Sequence, residues 1–348
     1  MVQPLRRTFW TRALAWMVFL ACLLVVFPRS IDRQENLGID FPIFYSAAAQ
    51  HGDAEGYIYP PFLAWAISPL TLLAVRSASM VWYAIQAAAI LWVLWVCIPL
   101  PDWSDRRRLA VAAIYLVATI RLVILNAELG QVNGLLLLLV LIAARTPGTP
   151  VAGSTLGLAA IVKLSPLIVL PFSLVNKTGN RKTFLGAFLA TIGVCALLPH
   201  LAGYDVSGLT RLLRVQHTAG ANIGLLEYLG YASYLLYLAL FLVSLLVAAR
   251  AKSRPEIWLI PIILIMVGPG FVRKAHLIWG VLLGPLVNSP RARLVGVPLL
   301  WAIGSLGTMV MPEAALVGNL LALSLLLFDV WKVPEEPHLS PASPSAAS

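Results

Sequence analysis

Asp40 is the residue whose setting points most directly to chemistry. It stands in Gly38-Ile39-Asp40-Phe41-Pro42, just past the first long apolar stretch, and a polar loop with Tyr57-Ile58-Tyr59-Pro60-Pro61-Phe62 follows it. A lone carboxylate at the edge of a membrane can take the proton of an attacking hydroxyl. It can also cap a helix that begins near Pro42, because Asp is a good N-cap and proline is at home in a first helical turn. Lys163 poses a similar choice. It lies inside the apolar stretch 152–175, where a lysine costs about 2.5–3.5 kcal/mol at mid-membrane on insertion scales. Either it snorkels to the interface or it meets a phosphate. Arg273, Lys274 and His276 open a late apolar run. The two cations suit lipid headgroups or a bound phosphate. His276 is either a structural residue or a partner that orients Asp40, shares its proton or binds substrate.

Other chemistries lack their residues. The five histidines are scattered, no paired carboxylate motif suggests a metal site, and no Walker-type, GxGxxG or CxxC motif occurs. No cofactor is expected. Cys22, Cys97 and Cys195 all fall in apolar runs and read as packing residues. The net charge of +10 does not imply nucleic acid. The basic residues sit in short connections between apolar runs, the pattern that sets membrane orientation and meets anionic lipids.

The elements that must position these residues are membrane helices. The chain is 60% hydrophobic and 11% charged, with mean hydropathy +0.86. A crossing takes about 20 mostly apolar residues, and such runs recur from 13–27 to 314–331. The expected fold is an all-α polytopic bundle of roughly 10–12 transmembrane helices, forming one domain over 1–331. Residues 332–348, rich in Pro, Ser and Ala, read as a disordered cytoplasmic tail. The first run follows Arg6, Arg7 and Arg12 without a clear cleavage site, so it reads as an uncleaved span. With the N-terminus inside, the Arg106-Arg107-Arg108, Arg250/Lys252/Arg254 and Arg291/Arg293 clusters fall inside too. This requires 62–75 to lie along the outer interface and 152–175 to turn back at Lys163-Leu164-Ser165-Pro166. Asp40, Gln131, Asn133, Asn222 and His276 then share the outer face. Arg121, inside the third span, either meets headgroup or phosphate, like the other basic residues on that face, or pairs with Glu128.

The run Asp40-Phe41-Pro42-Ile43-Phe44-Tyr45-Ser46, with Tyr59-Pro60-Pro61-Phe62 and Ser68-Pro69-Leu70, carries a resemblance. In order there follow Gly130-Gln131-Val132-Asn133-Gly134, Gly157-Leu158-Ala159, Lys163-Leu164-Ser165-Pro166, Asn222-Ile223-Gly224-Leu225-Leu226 and His276. The set resembles the polyprenol-phosphate-mannose-dependent mannosyltransferases of glycosyltransferase family 87, which have the GT-C membrane fold with interfacial helices in the first outer loop. That resemblance spans about residues 35–285 and implies an inverting transferase with an acidic base in the first outer loop. Its implied partners are a polyprenyl-phosphate-linked sugar donor, a glycolipid or glycan acceptor and the lipids of the plasma membrane. An outer face has no nucleotide pool, so a sugar transferred there comes from a lipid carrier. On this reading Asp40 is the base, His276 its support, and Lys163, Arg273 and Lys274 hold phosphate. Tyr45, Tyr59, Gln131, Asn133 and Asn222 face sugar or acceptor, though tyrosines also anchor interfaces and amides also link membrane helices. The chain departs from the pattern in a short loop between Tyr45 and Tyr59 and in having no second histidine beside His276. A secondary transporter or lipid flippase is the alternative. It predicts matched broken helices in two halves, whereas one broken segment is visible.

Overall fold

A computed structural model describes residues 2–36, 40–102, 104–175, 179–205, 225, 229–251, 254–268 and 274–332. Among these there is no strand, and the chain is a bundle of membrane helices. The tail from 333 onward lies outside the described residues.

The first half comprises α1 (Val2–Asn36), α2 (Asp40–Ala49), α3 (Pro61–Ile67), α4 (Val75–Cys97), α5 (Arg106–Leu129), α6 (Asn133–Arg145) and α7 (Pro150–Val162). The second comprises α8 (Val169–Val175), α9 (Arg181–Leu201), α10 (Ala232–Arg250), α11 (Leu259–Val267), α12 (Ala292–Gly307) and α13 (Glu313–Lys332). Short polar residues start them where the sequence turns apolar. Asp105 accepts from the Arg108 amide at the head of α5, Thr149 from Ala152 at α7, and Asn180 from Lys182 and Thr183 at α9.

Six helices are long and apolar enough to cross a membrane: α1, α4, α5, α9, α10 and α13. The protein is therefore a multi-pass membrane protein. Helices α6 and α7 have 13 residues each, about 20 Å at 1.5 Å per residue, against a hydrocarbon core of about 30 Å. Their ends thus fall within the membrane depth. Polar turns are tolerated there only where protein or a water-filled cavity surrounds them.

Helices α7 and α9 run side by side in the same direction. The Asn180 amide donates to the Gly148 carbonyl (3.1 Å), which places the two starts together. Gly153 permits the approach, since a Cβ there would collide with the Phe184 carbonyl. The stretch between them must therefore return to the end from which α7 set out. It does so through Lys163, extended at φ −153°, a 3₁₀ turn over Ser165–Ile168 and α8. Proline at the second turn residue keeps the preceding residue from continuing α7. The region 62–75 likewise does not form a long span: α3 passes into a 3₁₀ turn, Ser68–Leu72, before α4 starts.

The late apolar run differs from a plain membrane helix. Lys274–Asn288 is a 3₁₀ helix of 15 residues, far longer than such helices usually run. At about 2.0 Å per residue it covers roughly 30 Å, a full crossing. Side chains from neighbouring helices take up its carbonyls. Tyr115 donates to Val281 O (2.6 Å) and Trp301 Nε1 to Leu277 O (3.0 Å). In an α-helix the Val281 carbonyl would look to residue 285, which is proline and has no N–H. Tyr115 supplies that donor instead.

Candidate active site

The site is organised by the turn between α5 and α6. Gly130 ends α5 in the left-handed conformation (φ +64°, ψ 31°), which glycine adopts without a Cβ penalty. A Cβ there would also lie 2.7 Å from the Cβ of Phe41. Glycine is needed on both counts. Its carbonyl accepts from Trp82 Nε1 (2.8 Å), and the Trp82 ring stacks on Phe41 at 5.7 Å. Phe44 meets Tyr59 edge-on at 4.9 Å. These aromatic contacts press the start of α2, and so Asp40, against the turn.

Gln131 then donates its Nε2 to Asp40 Oδ2. Asp40 is half-buried and Gln131 buried. Two residues on, the fully buried Asn133 works in the other direction. Its Oδ1 accepts from Lys163 Nζ (3.4 Å), and its Nδ2 donates to Asn126 Oδ1 (2.8 Å) and to the Ala275 carbonyl (3.5 Å). Lys163 Nζ also lies 5.5 Å from the centroid of the Tyr59 ring, in cation–π range. The carboxylate and the ammonium are thus held by residues 131 and 133, whose Cα atoms are at most ~7 Å apart along the chain.

The same turn reaches the 3₁₀ helix. Asn126 Nδ2 donates to the Ala275 carbonyl (3.1 Å) and to Leu122 O (2.9 Å). His276, the next residue, is buried, and Lys274 is half-buried with its Nζ donating to Thr308 O (3.1 Å). Residues Asp40, Gln131, Asn133, Lys163, Tyr59 and the Lys274–His276 segment therefore meet around one turn. Arg273 and Asn222 lie outside the described residues.

Tyr57 builds the wall beside Tyr59. Its hydroxyl donates to Pro60 O (2.7 Å) and accepts from the Ala64 amide (3.1 Å). Burial pushes its pKa well above the usual tyrosine value, so it stays protonated and keeps donating.

Three placements differ from the sequence reading or extend it. Tyr45 donates to Leu73 O (2.9 Å), tying α2 to the 3₁₀ turn before α4, and no described contact joins it to Asp40 or Lys163. Arg121 does not pair with Glu128. It donates to Ser305 O (2.6 Å) and Thr308 Oγ1 (3.0 Å), while Glu128 is taken by Arg29 (3.2 Å) and Arg33. Arg121 sits two turns before Glu128, out of reach of it along the helix, and α12 offers acceptors closer by. Asn126, in contrast, was not singled out by its sequence. The available signal was a second amide in an apolar helix, one turn before a glycine turn that carries Asn133.

The profile of glycosyltransferase family 87 matches residues 57–280 of this chain. Tyr59, Gln131, Asn133, Lys163, Lys274 and His276 lie inside that region and Asp40 precedes it. Two curated relatives are each described as a polyprenol-phosphate-mannose-dependent alpha-(1-2)-phosphatidylinositol pentamannoside mannosyltransferase. That of Mycolicibacterium smegmatis is 26% identical over 291 residues, 71% of this chain and 70% of its own. That of Mycobacterium tuberculosis is 25% identical over 330 residues, 76% of this chain and 75% of its own. No solved structure matches.

Proposed function

The chain belongs to glycosyltransferase family 87, and from that membership we propose that it transfers mannose from a polyprenyl phosphate to a glycolipid acceptor on the outer face of the plasma membrane. The relatives' dependence on polyprenol-phosphate-mannose supports the donor, and their phosphatidylinositol mannoside acceptor supports the acceptor class. The observation that carries the reading is the α5–α6 turn, which holds a carboxylate through Gln131 and an ammonium through Asn133.

Such a pair suits displacement at an anomeric carbon. Asp40 removes the proton from an acceptor hydroxyl as its oxygen attacks the mannose C1. The bond from C1 to the phosphate oxygen breaks, and the electron pair leaves with the polyprenyl phosphate. Lys163 meets the negative charge that builds on that oxygen, and Lys274, whose Nζ donates to Thr308 O, is a second candidate for it. Attack opposite the leaving group inverts the anomeric centre. His276 supports Asp40 or the sugar, Tyr59 packs against the bound sugar, and Arg273 and Asn222 are further contacts to phosphate and sugar. The single domain 1–331 with a separate tail is part of the same proposal.

Purified protein given synthetic polyprenyl-phosphate mannose tests this directly. Asp40→Asn keeps size and the hydrogen bond from Gln131 but removes the base, so turnover falls about 10²–10⁴-fold at unchanged protein yield. Wild-type turnover in a folded Asp40→Asn protein, or transfer from a nucleotide sugar but not from the lipid donor, would overturn the proposal.

A further inference from the structure

A small cavity of about 10 Å³ lies against the Gly130 turn, between α1, α4 and α5. Its polar lining comes from Gln34, Trp82, Tyr83, Gln86 and Asn126. Three of these are already engaged. Trp82 Nε1 donates to Gly130 O, and the Tyr83 hydroxyl donates to Leu23 O (2.6 Å). The Asn126 amide gives its N–H groups to the Leu122 and Ala275 carbonyls and accepts from Asn133. Two buried side-chain atoms of the lining residues have no hydrogen-bond partner among the described residues: Gln34 Oε1 and Gln86 Nε2.

Neither amide can be turned round to exchange its two ends. Gln34 Nε2 donates to the Ala127 carbonyl (2.8 Å), and Gln86 Oε1 accepts from the Leu135 amide (3.2 Å). These backbone partners fix which end of each amide carries the oxygen. The lining therefore leaves one acceptor and one donor, and a buried polar atom without a partner is costly.

We propose that the cavity binds a single water molecule, which accepts from Gln86 Nε2 and donates to Gln34 Oε1. Size and polarity both select it. A volume of about 10 Å³ is the room that one water needs. No charged side chain lines the cavity, so an ion there would go unneutralised. A cation would also face the Gln86 N–H, and an anion the Gln34 oxygen. Water both gives and takes a hydrogen bond. Its place gives it a mechanical role. Ala127 precedes the glycine turn on α5 and Leu135 follows it on α6. The path from Ala127 through Gln34, the water and Gln86 to Leu135 closes a brace across the turn that carries Gln131 and Asn133, anchored on α1 and α4. The site needs no substrate and stands or falls separately from the transfer reaction.

A density map of the full wild-type chain, fine enough to show ordered waters, tests the site directly. One isolated density within hydrogen-bond distance of both Gln34 Oε1 and Gln86 Nε2 is expected. A dry cavity, or two amides bonded directly to each other, overturns the proposal. Thermal unfolding of Gln34→Met, Gln86→Met and the double variant in detergent tests the brace. Either single substitution should expel the water and strand the remaining amide. The double variant should then lose less stability than the two single losses summed, by the equivalent of about tenfold in the unfolding constant, a typical coupling for groups in one hydrogen-bond network. Additive losses would mean that the two glutamines act apart, and would overturn the brace.

Discussion

Replacing Asn133 with alanine tests whether the α5–α6 turn positions Lys163. The Asn133 amide makes two kinds of contact. Its Nδ2 satisfies the buried Asn126 Oδ1 at 2.8 Å, and its Oδ1 receives the Lys163 ammonium at 3.4 Å. Losing the first strands a buried acceptor, which costs about 1–3 kcal/mol of stability. Losing the second removes one of the contacts that position the ammonium. Hydrogen bonds to charged groups are worth about 1.5–3 kcal/mol, and the long distance and half-exposed lysine argue for the low end, about 1.5. Donor affinity should then fall about tenfold, because 1.4 kcal/mol is a factor of ten. Initial rates over a range of synthetic polyprenyl-phosphate mannose separate this from damage to the fold: donor KM rises, while kcat per folded molecule changes less. The decisive comparison repeats the substitution in a Lys163→Met background. If Asn133 acts through Lys163, it changes donor KM little there. An unchanged KM in the single variant, or the same tenfold loss with Lys163 already removed, would refute the reasoning.

His276→Ala should cost much activity alone and little more once Asp40 is Asn, if the two work as a unit; strict additivity of the losses on detergent-stable protein would break the link. Gly130→Ala forces a side chain into the left-handed conformation against Phe41, costing roughly 1–2 kcal/mol from backbone conformation alone. Thermal unfolding should show that loss, and turnover should drop further because Gln131 moves off Asp40. Tyr57→Phe leaves the Pro60 carbonyl and the Ala64 amide without their shared hydroxyl, so the midpoint should fall by the equivalent of about 1–3 kcal/mol, with donor KM nearly unchanged.

The membrane class, the order of the helices and the break at Lys163 were legible in the sequence because each is a local consequence of composition. Apolar runs of sufficient length must cross, basic connections orient them, and a proline after Ser165 cannot extend the helix ending at Val162. The polar residues of the site were legible for a related reason, since a lysine or amide inside an apolar run needs a purpose. Their partners were not. Arg121 and Glu128 are seven positions apart in one helix, yet each bonds to a different helix, α12 and α1. Tyr45 carries the same phenol as Tyr59 but turns from α2 to Leu73, whereas Tyr59 stands in the loop before α3 and meets Lys163.

The 3₁₀ crossing from Lys274 is a tertiary outcome in the same sense. Its residues are apolar enough for any helix, and the donors that complete its carbonyls come from Tyr115 and Trp301, distant in sequence. What the sequence determined by itself is that this chain crosses a membrane repeatedly and carries a few polar residues within the crossings. Only the tertiary structure decided that Asp40 meets Gln131 and Lys163 meets Asn133 across a single glycine turn. Burial in an apolar run is set by the run itself, whereas a hydrogen bond between residues about 90 or 30 positions apart depends on how the helices pack.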